Sequence, residues 1–262
     1  MKSFIKYTSV VITVLLLLLG SLRLHPYYHL AKSQELIVYS IVNSPDDTLK
    51  IVFIGDSWAA YHYNYDKELE IKLSQMGQSA HVFSVGNVGA KSHEIYERMF
   101  STTKPVLMER PNYCVISAGI NDAVAKLGKE YYVHHYMLIL QQLLKLGIRP
   151  VVLEMPEVNY RAIASREPWT MRIRHILSSL MTGSELYGFD SYKTALIQAI
   201  KKTDMQSSII YISADSWNAA GYQDKRGLYL SDEIHLNAKG YAVLDSCIAS
   251  EILKDIREKQ LN

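Results

Sequence analysis

Residues 50–58 read Lys-Ile-Val-Phe-Ile-Gly-Asp-Ser-Trp (KIVFIGDSW). After Lys50, four β-branched or aromatic residues run without a polar break into Gly55, and an Asp-Ser pair follows at once. An unbroken apolar run of this length, closed by a turn residue, suits a strand covered on both faces, not one with alternating wet and dry sides. Four further runs of the same kind lie downstream, at 80–85, 113–117, 150–155 and 208–212 (SIIYI).

Helical spacing fills the intervals. Leu69, Leu73 and Met76 recur at helical period within 65–76, and 131–146 carries Leu138, Leu143 and Leu146 before Gly147 as a stop. Further helices are expected at 93–100, 168–181, 191–202 and 238–254. Strands that alternate with helices predict an α/β fold, a three-layer αβα sandwich around a central, mostly parallel five-stranded sheet. The stretch 157–206 exceeds a simple crossover and predicts a helical excursion near the site. No internal repeat or low-complexity segment interrupts the pattern.

Bulk properties narrow the function. The chain has 262 residues, 48% hydrophobic and 21% charged, enough for one sizeable core. A net charge of +2, with basic residues dispersed among acids, gives no stripe for nucleic acid. Nineteen tyrosines against five phenylalanines supply stacking surface with a hydroxyl, which suits a sugar-binding surface as well as ordinary core and rim packing. Cys114 and Cys247 read as small hydrophobes, with a single bridge between them left open.

The first residues differ from the rest. Lys2 and Lys6 precede an uncharged stretch, 7–22, which Arg23 closes. We read 1–24 as an N-terminal signal-anchor or signal peptide, 25–49 as a tether and 50–262 as the folded domain. Without a small-x-small cleavage site after Gly20, an uncleaved membrane anchor is favoured over a cleaved signal. Lysines before the apolar run place the domain outside the cytoplasm, either anchored or, after cleavage, secreted or periplasmic.

In a parallel sheet the site forms at the carboxyl ends of the strands. There stand Gly55-Asp56-Ser57-Trp58 after the first run, Gly86-Asn87-Val88-Gly89 after the second, and Gly119-Ile120-Asn121-Asp122 after the third. Near the end comes Asp232-Glu233-Ile234-His235-Leu236-Asn237, leading into Gly240. Each block is weak alone, but four in order at strand ends resemble the SGNH (GDSL-type) hydrolase superfamily, from Lys50 to the C-terminal helix. That resemblance implies a flavodoxin-like sheet and ester hydrolysis.

A serine hydroxyl is a poor nucleophile until a base takes its proton, and Ser57 opens a helix at a sharp turn. His235 is the natural base, and Asp232, three residues earlier, can fix its tautomer. Asn237 is placed to cap the helix that follows. For the oxyanion hole the resemblance assigns the backbone N–H groups of Ser57 and Gly89 and the side-chain amide of Asn121. Gly89 is preferred to Gly86 because it fills the second glycine of the G-x-x-G pattern. Trp58 stands where the family often has leucine, a position that packs behind the nucleophile. Asp56 and Asp122 read as hydrogen-bonding turn residues. Asp215-Ser216-Trp217 echoes the first block without its partners, and Arg172, Arg174 and His175 read as a solvated helix face or a border of the substrate groove.

The expected activity is hydrolysis of acetyl or short acyl esters, with a glycan or small-molecule ester as substrate, without cofactor or metal. An O-acyltransferase acting on a cell-surface polysaccharide, or a lipid esterase, would use the same triad. A non-catalytic carbohydrate-binding module is disfavoured because every catalytic position is filled.

Overall fold

In the computed structural model of the protein, the described residues are 6–18 and 48–260. The first strand, β1 (Leu49–Gly55), leads into α1 (Ser57–His62) and α2 (Asp66–Gln75), then β2 (Ala80–Gly86). Next come α3 (Ser92–Arg98), α4 (Lys104–Met108) and β3 (Tyr113–Ser117). After β3 lie α5 (Ile120–Val124), α6 (Lys129–Lys145) and β4 (Arg149–Leu153). The excursion holds α7 (Tyr160–Arg166), α8 (Trp169–Thr182) and α9 (Asp190–Lys202), and β5 (Ile210–Ile212), α10 (Asp215–Asn218) and α11 (Ala238–Gln260) complete the domain.

The five strands form one sheet in the order β2-β1-β3-β4-β5, every pair parallel. This is the expected three-layer α/β/α fold with flavodoxin-like strand order. Parallel neighbours need right-handed crossovers, so the helices after β1 lie on one face and those after β2, β3 and β4 on the other. Accordingly α2 packs with α11, while α6 packs with both α3 and α9. Ile51, Val52, Phe53 and Ile54 of β1 and Cys114, Val115 and Ile116 of β3 are buried between the layers. β2 departs from the expectation of cover on both faces. It is an edge strand, and His81 and Phe83 face outward. β5 starts two residues later than the apolar run because Met205–Ser208 turn as a 3-10 helix.

Leaving β1, the chain first builds outward to β2, then returns past β1 to β3. The sheet therefore reverses its winding between β1 and β3, and such a reversal opens a crevice at the carboxyl ends of the two strands.

Only part of the N-terminal expectation falls within the described residues. Residues 6–18 are helical with exposed side chains, and among the described residues no helix is long and apolar enough to cross a membrane, which takes about 20 residues. The rest of the 1–24 segment and nearly all of the 25–49 tether lie outside the described residues. Leu49 already belongs to β1, so the folded unit begins before Lys50. Cys114 and Cys247 are both free thiols.

Candidate active site

The crevice is built by close backbone approach. A Cβ on Gly55 would stand 2.1 Å from the Ser117 carbonyl oxygen, so only glycine lets β1 end flush against β3. The next residue, Asp56, is buried, and its Oδ1 accepts hydrogen bonds from the Trp58 amide (3.0 Å) and the Ser117 hydroxyl (3.1 Å). Burial drives its carboxyl pKa up to about 7, against the lowering effect of those bonds. Asp56 thus shapes the turn that presents Ser57 at the start of α1. Trp58 packs inward, edge-on to Trp217 (6.0 Å) and Tyr229 (6.4 Å), as expected for the position behind the serine.

The fourth block arrives from the other end of the chain. His235 Nε2 lies 2.9 Å from Ser57 Oγ, and His235 Nδ1 lies 2.6 Å from Asp232 Oδ2. The other carboxylate oxygen of Asp232 accepts from the backbone amides of Ile234 (2.9 Å) and His235 (3.0 Å). Partial burial opposes ionisation of Asp232, but the amide bonds and the imidazole outweigh it and hold its pKa below the ordinary carboxylate value. The loop is fixed on both sides. Glu233, in the left-handed region at φ 58°, is gripped by Asn159, whose backbone N–H donates to the Glu233 carbonyl (3.1 Å) and whose amide meets its carboxylate. Asn237 accepts from the Gly240 amide (3.0 Å), the expected helix cap, and donates to the carbonyls of Gly227 (2.8 Å) and Tyr229 (3.0 Å).

The second and third blocks are tied to the same crevice. The Asn87 amide donates to the Gly55 carbonyl (3.0 Å), and Asn121 Nδ2 donates to the carbonyl of Ala90, the neighbour of Gly89 (3.0 Å). Buried Asp122 clamps Ser92 through its hydroxyl (2.6 Å) and its amide (2.9 Å), locking α5 to α3. The two glycines of the second block differ in kind. Gly86 is a packing residue, since a Cβ there would fall 1.9 Å from the Ala60 amide nitrogen in α1. Gly89 sits at φ +79°, and a Cβ there would meet no atom within 4 Å, so its glycine answers to backbone conformation and not to packing.

Several other residues fall where the sequence did not place them. His175 is buried and pairs with Glu167 at 3.0 Å, so it leaves the solvated face on which Arg172 and Arg174 remain. Ser216 agrees with its reading as an echo of the first block: its hydroxyl donates to the Ser213 carbonyl (2.6 Å) and touches Cys247. Sequence reasoning missed His62, Asp245 and Tyr241. The Tyr241 hydroxyl donates to the Trp58 carbonyl (2.9 Å), and His62 meets Asp245, so both fasten α1 to α11. Their partners lie 183 positions apart, which no local spacing reveals.

Comparison with known proteins converges on this architecture. No curated protein matches the chain. Among solved structures, a lipase/acylhydrolase from Enterococcus faecalis superposes with a TM-score of 0.55 at 18% identity, covering 78% of this chain and 95% of its own. An acetyl xylan esterase, AlAXEase, gives 0.54 at 17% identity over 79% and 98%. A psychrotrophic esterase, EstA from a Pseudoalteromonas species, gives 0.53 at 17% over 83% and 100%. At these identities the likeness is one of fold. Residues 53–243 match the GDSL-like lipase/acylhydrolase family, a span that holds all four blocks and most of the domain. The chain belongs to that family and is a carboxylic ester hydrolase.

Proposed function

We propose that the protein is a serine esterase in which Ser57, His235 and Asp232 form the catalytic triad, acting outside the cytoplasm on acetyl or other short acyl esters of a carbohydrate. The observation that carries this reading is the hydrogen-bonded chain from Ser57 Oγ through both imidazole nitrogens to Asp232. His235 takes the hydroxyl proton as Ser57 Oγ attacks the ester carbonyl. It then passes that proton to the departing sugar oxygen, leaving an acyl-serine. Water, deprotonated by the same imidazole, attacks the acyl-serine, and the proton returns to Ser57 as free acid leaves. Throughout, Asp232 accepts the His235 Nδ1–H and stabilises the transient imidazolium.

Negative charge on the carbonyl oxygen needs donors fixed in advance. The backbone N–H groups of Ser57 and Gly89 and the Asn121 amide fill that role in this reading. One N–H of Asn121 is spent on Ala90, which orients the amide and leaves the second for the oxyanion. The half-buried Tyr61, edge-on to the His235 ring at 4.8 Å, offers a flat surface for a sugar beside the base. The acetyl xylan esterase among the structural neighbours fits the choice of acyl group. The basic, then apolar N-terminal segment of 1–24 serves in this reading as the targeting segment, with the tether behind it.

The test is hydrolysis of p-nitrophenyl acetate, butyrate and octanoate by the full chain alongside Ser57→Ala and His235→Ala. Turnover falling from acetate to octanoate, and lost in both variants, supports the assignment. A folded but inert parent, or variants as active as the parent, defeats it, and acyl transfer to a sugar hydroxyl would then be assayed in place of hydrolysis. Cell fractionation tests the location, and activity confined to the cytosol would refute it.

A further inference from the structure

The helix α8 is built inside out. Trp169, Ile173, Ile176, Leu177 and Leu180 recur at spacings of three and four and share one face. That face points to solvent: Trp169 is 71% exposed, Leu180 78%, Ile173 48% and Ile176 46%. The polar side faces the domain instead. His175 pairs inward with Glu167, the Thr182 hydroxyl donates to the Lys126 carbonyl (3.2 Å), and the Ser179 hydroxyl meets the Ser184 carbonyl. Amphipathic helices of globular domains normally bury the apolar stripe, so this orientation leaves a continuous apolar strip without cover.

Cations flank the strip. Arg172 and Arg174 lie on opposite sides of it by helical geometry and both are exposed, the Arg172 guanidinium held at the border by donation to the carbonyls of Ser165 (2.9 Å) and Glu167 (3.1 Å) with its remaining N–H groups left for an anion. Beside Ile176 and Arg172 opens a cavity of about 430 Å³, also lined by Lys126, Arg161, His175 and Tyr187. Lys126 is 1% exposed, and its ammonium donates to the Glu185 carbonyl (2.7 Å) and sits over the Tyr160 ring at 4.1 Å. Among the described residues no carboxylate lies within ion-pair distance of it. The one acid in the cavity wall, Glu167, is engaged by His175. The cavity is therefore a net cationic recess at the edge of an apolar strip.

We infer that α8 docks the protein on the surface of an anionic phospholipid bilayer, with the strip in the acyl boundary and a headgroup phosphate in the recess bounded by Lys126, Arg161 and Arg172. An apolar face with arginines on both borders is the pattern of a helix lying in the bilayer interface, where the guanidinium groups reach back to the phosphates. Charge also argues against a second copy as occupant. Two such helices paired antiparallel about a twofold axis at the helix midpoint would bring Arg174, which lies close to that midpoint, against its own counterpart and add Arg172 to the same like-charged seam. A negative surface meets those charges with opposite sign. The inference is independent of the reaction assigned to Ser57.

The experiment is co-sedimentation of the full chain with vesicles of phosphatidylcholine alone and of phosphatidylcholine mixed with phosphatidylglycerol. The parent binds the mixed vesicles more tightly and releases them as salt rises. Ile176→Glu with Leu180→Glu, and separately Arg172→Glu with Arg174→Glu, weaken binding by at least about tenfold. Lys201→Glu with Lys202→Glu, on exposed α9 positions, leaves it unchanged. All variants share the same N-terminal segment, so differences among them report on α8. Circular dichroism and hydrolysis of p-nitrophenyl acetate certify folding, since none of these residues touches the triad. Equal binding by parent and α8 variants, or equal binding to both vesicle types, overturns the proposal. So does a dimer that the Ile176/Leu180 variant splits into monomers while vesicle binding persists.

Discussion

His62 Nε2 lies 2.8 Å from Asp245 Oδ1, both side chains fully buried, and the contact joins the last residue of α1 to the middle of α11. Ser57 opens α1, and the His235 loop runs directly into α11. The two halves of the candidate triad are thus held by a second His–Asp contact one helix behind the first. Removing Asp245 takes this contact from His62 Nε2 in the core, while Nδ1 keeps Ser84 Oγ at 2.8 Å, a loss of about 1–3 kcal/mol. Asp245→Ala therefore lowers the denaturation midpoint clearly, measured by urea unfolding followed by circular dichroism. An unchanged midpoint would show that the contact contributes nothing.

Asp232→Asn keeps the loop shape, because the retained side-chain oxygen still accepts from the Ile234 and His235 amides. It removes the anion facing the imidazole. The expected loss in kcat is about 100- to 10,000-fold with KM little changed, read from steady-state hydrolysis of p-nitrophenyl acetate. The carboxyl pKa of Asp232 is depressed in the fold, so its stabilising contribution is present above the ordinary carboxylate range and is lost as pH falls through its lowered value. The Asn variant should lack that acid-side decline when unfolding is followed below pH 5 or so.

Gly86→Ala and Gly89→Ala should separate packing from catalysis. The first forces a methyl group onto the Ala60 backbone and should destabilise the domain, seen as a lower melting temperature and poor soluble yield. The second meets no atom but strains a residue at φ +79°, costing about 1 kcal/mol. Its main effect should be on turnover. If Gly89→Ala is fully active, the backbone at 89 keeps its N–H in place without glycine, while Asn121→Ala should lose about 100- to 1,000-fold if its side-chain amide is an oxyanion donor.

Asp56 gives a pH signature of the opposite sign from Asp232. Burial raises its folded pKa from 3.8 to about 7. A raised carboxyl binds its proton more tightly in the folded chain, so the stability it contributes is complete below about pH 4 and is lost as pH rises through 7. Asp122, raised to about 6 by burial, acts in the same direction. Asp56→Asn keeps an acceptor for the Trp58 amide and should flatten the fall of melting temperature between pH 4 and 7. A slope as steep as the parent's would mean that Asp56 is ionised at little cost in the fold.

What the sequence revealed follows from how each feature is encoded. β1 and β3 are buried on both sides, and their unbroken apolar runs state this directly. The four blocks were visible because a parallel sheet puts reactive residues immediately after strands. α1 was foreseen only as the helix that Ser57 opens, and α4, α5 and α10 were not foreseen: at five, five and four residues they are too short to display a helical period. α8 was foreseen as a helix, but spacing alone cannot say whether an apolar face points in or out. His175 was misplaced for the same reason. The contacts of Asn159 with Glu233 and of His62 with Asp245 depend on tertiary approach across 74 and 183 positions, which periodicity does not encode.

The bond between Ser57 and His235 spans 178 positions, and four of the five strands are laid down between them. In the proposed mechanism nucleophile and base are therefore strangers in every partly ordered chain, whatever helices have already condensed. Reactivity becomes a late reporter of assembly: in a refolding time course, regain of ester turnover should trail recovery of the helical signal. A chain that has collapsed but not finished threading its sheet carries an inert serine, a safeguard against indiscriminate acylation that arises from topology and requires no inhibitor.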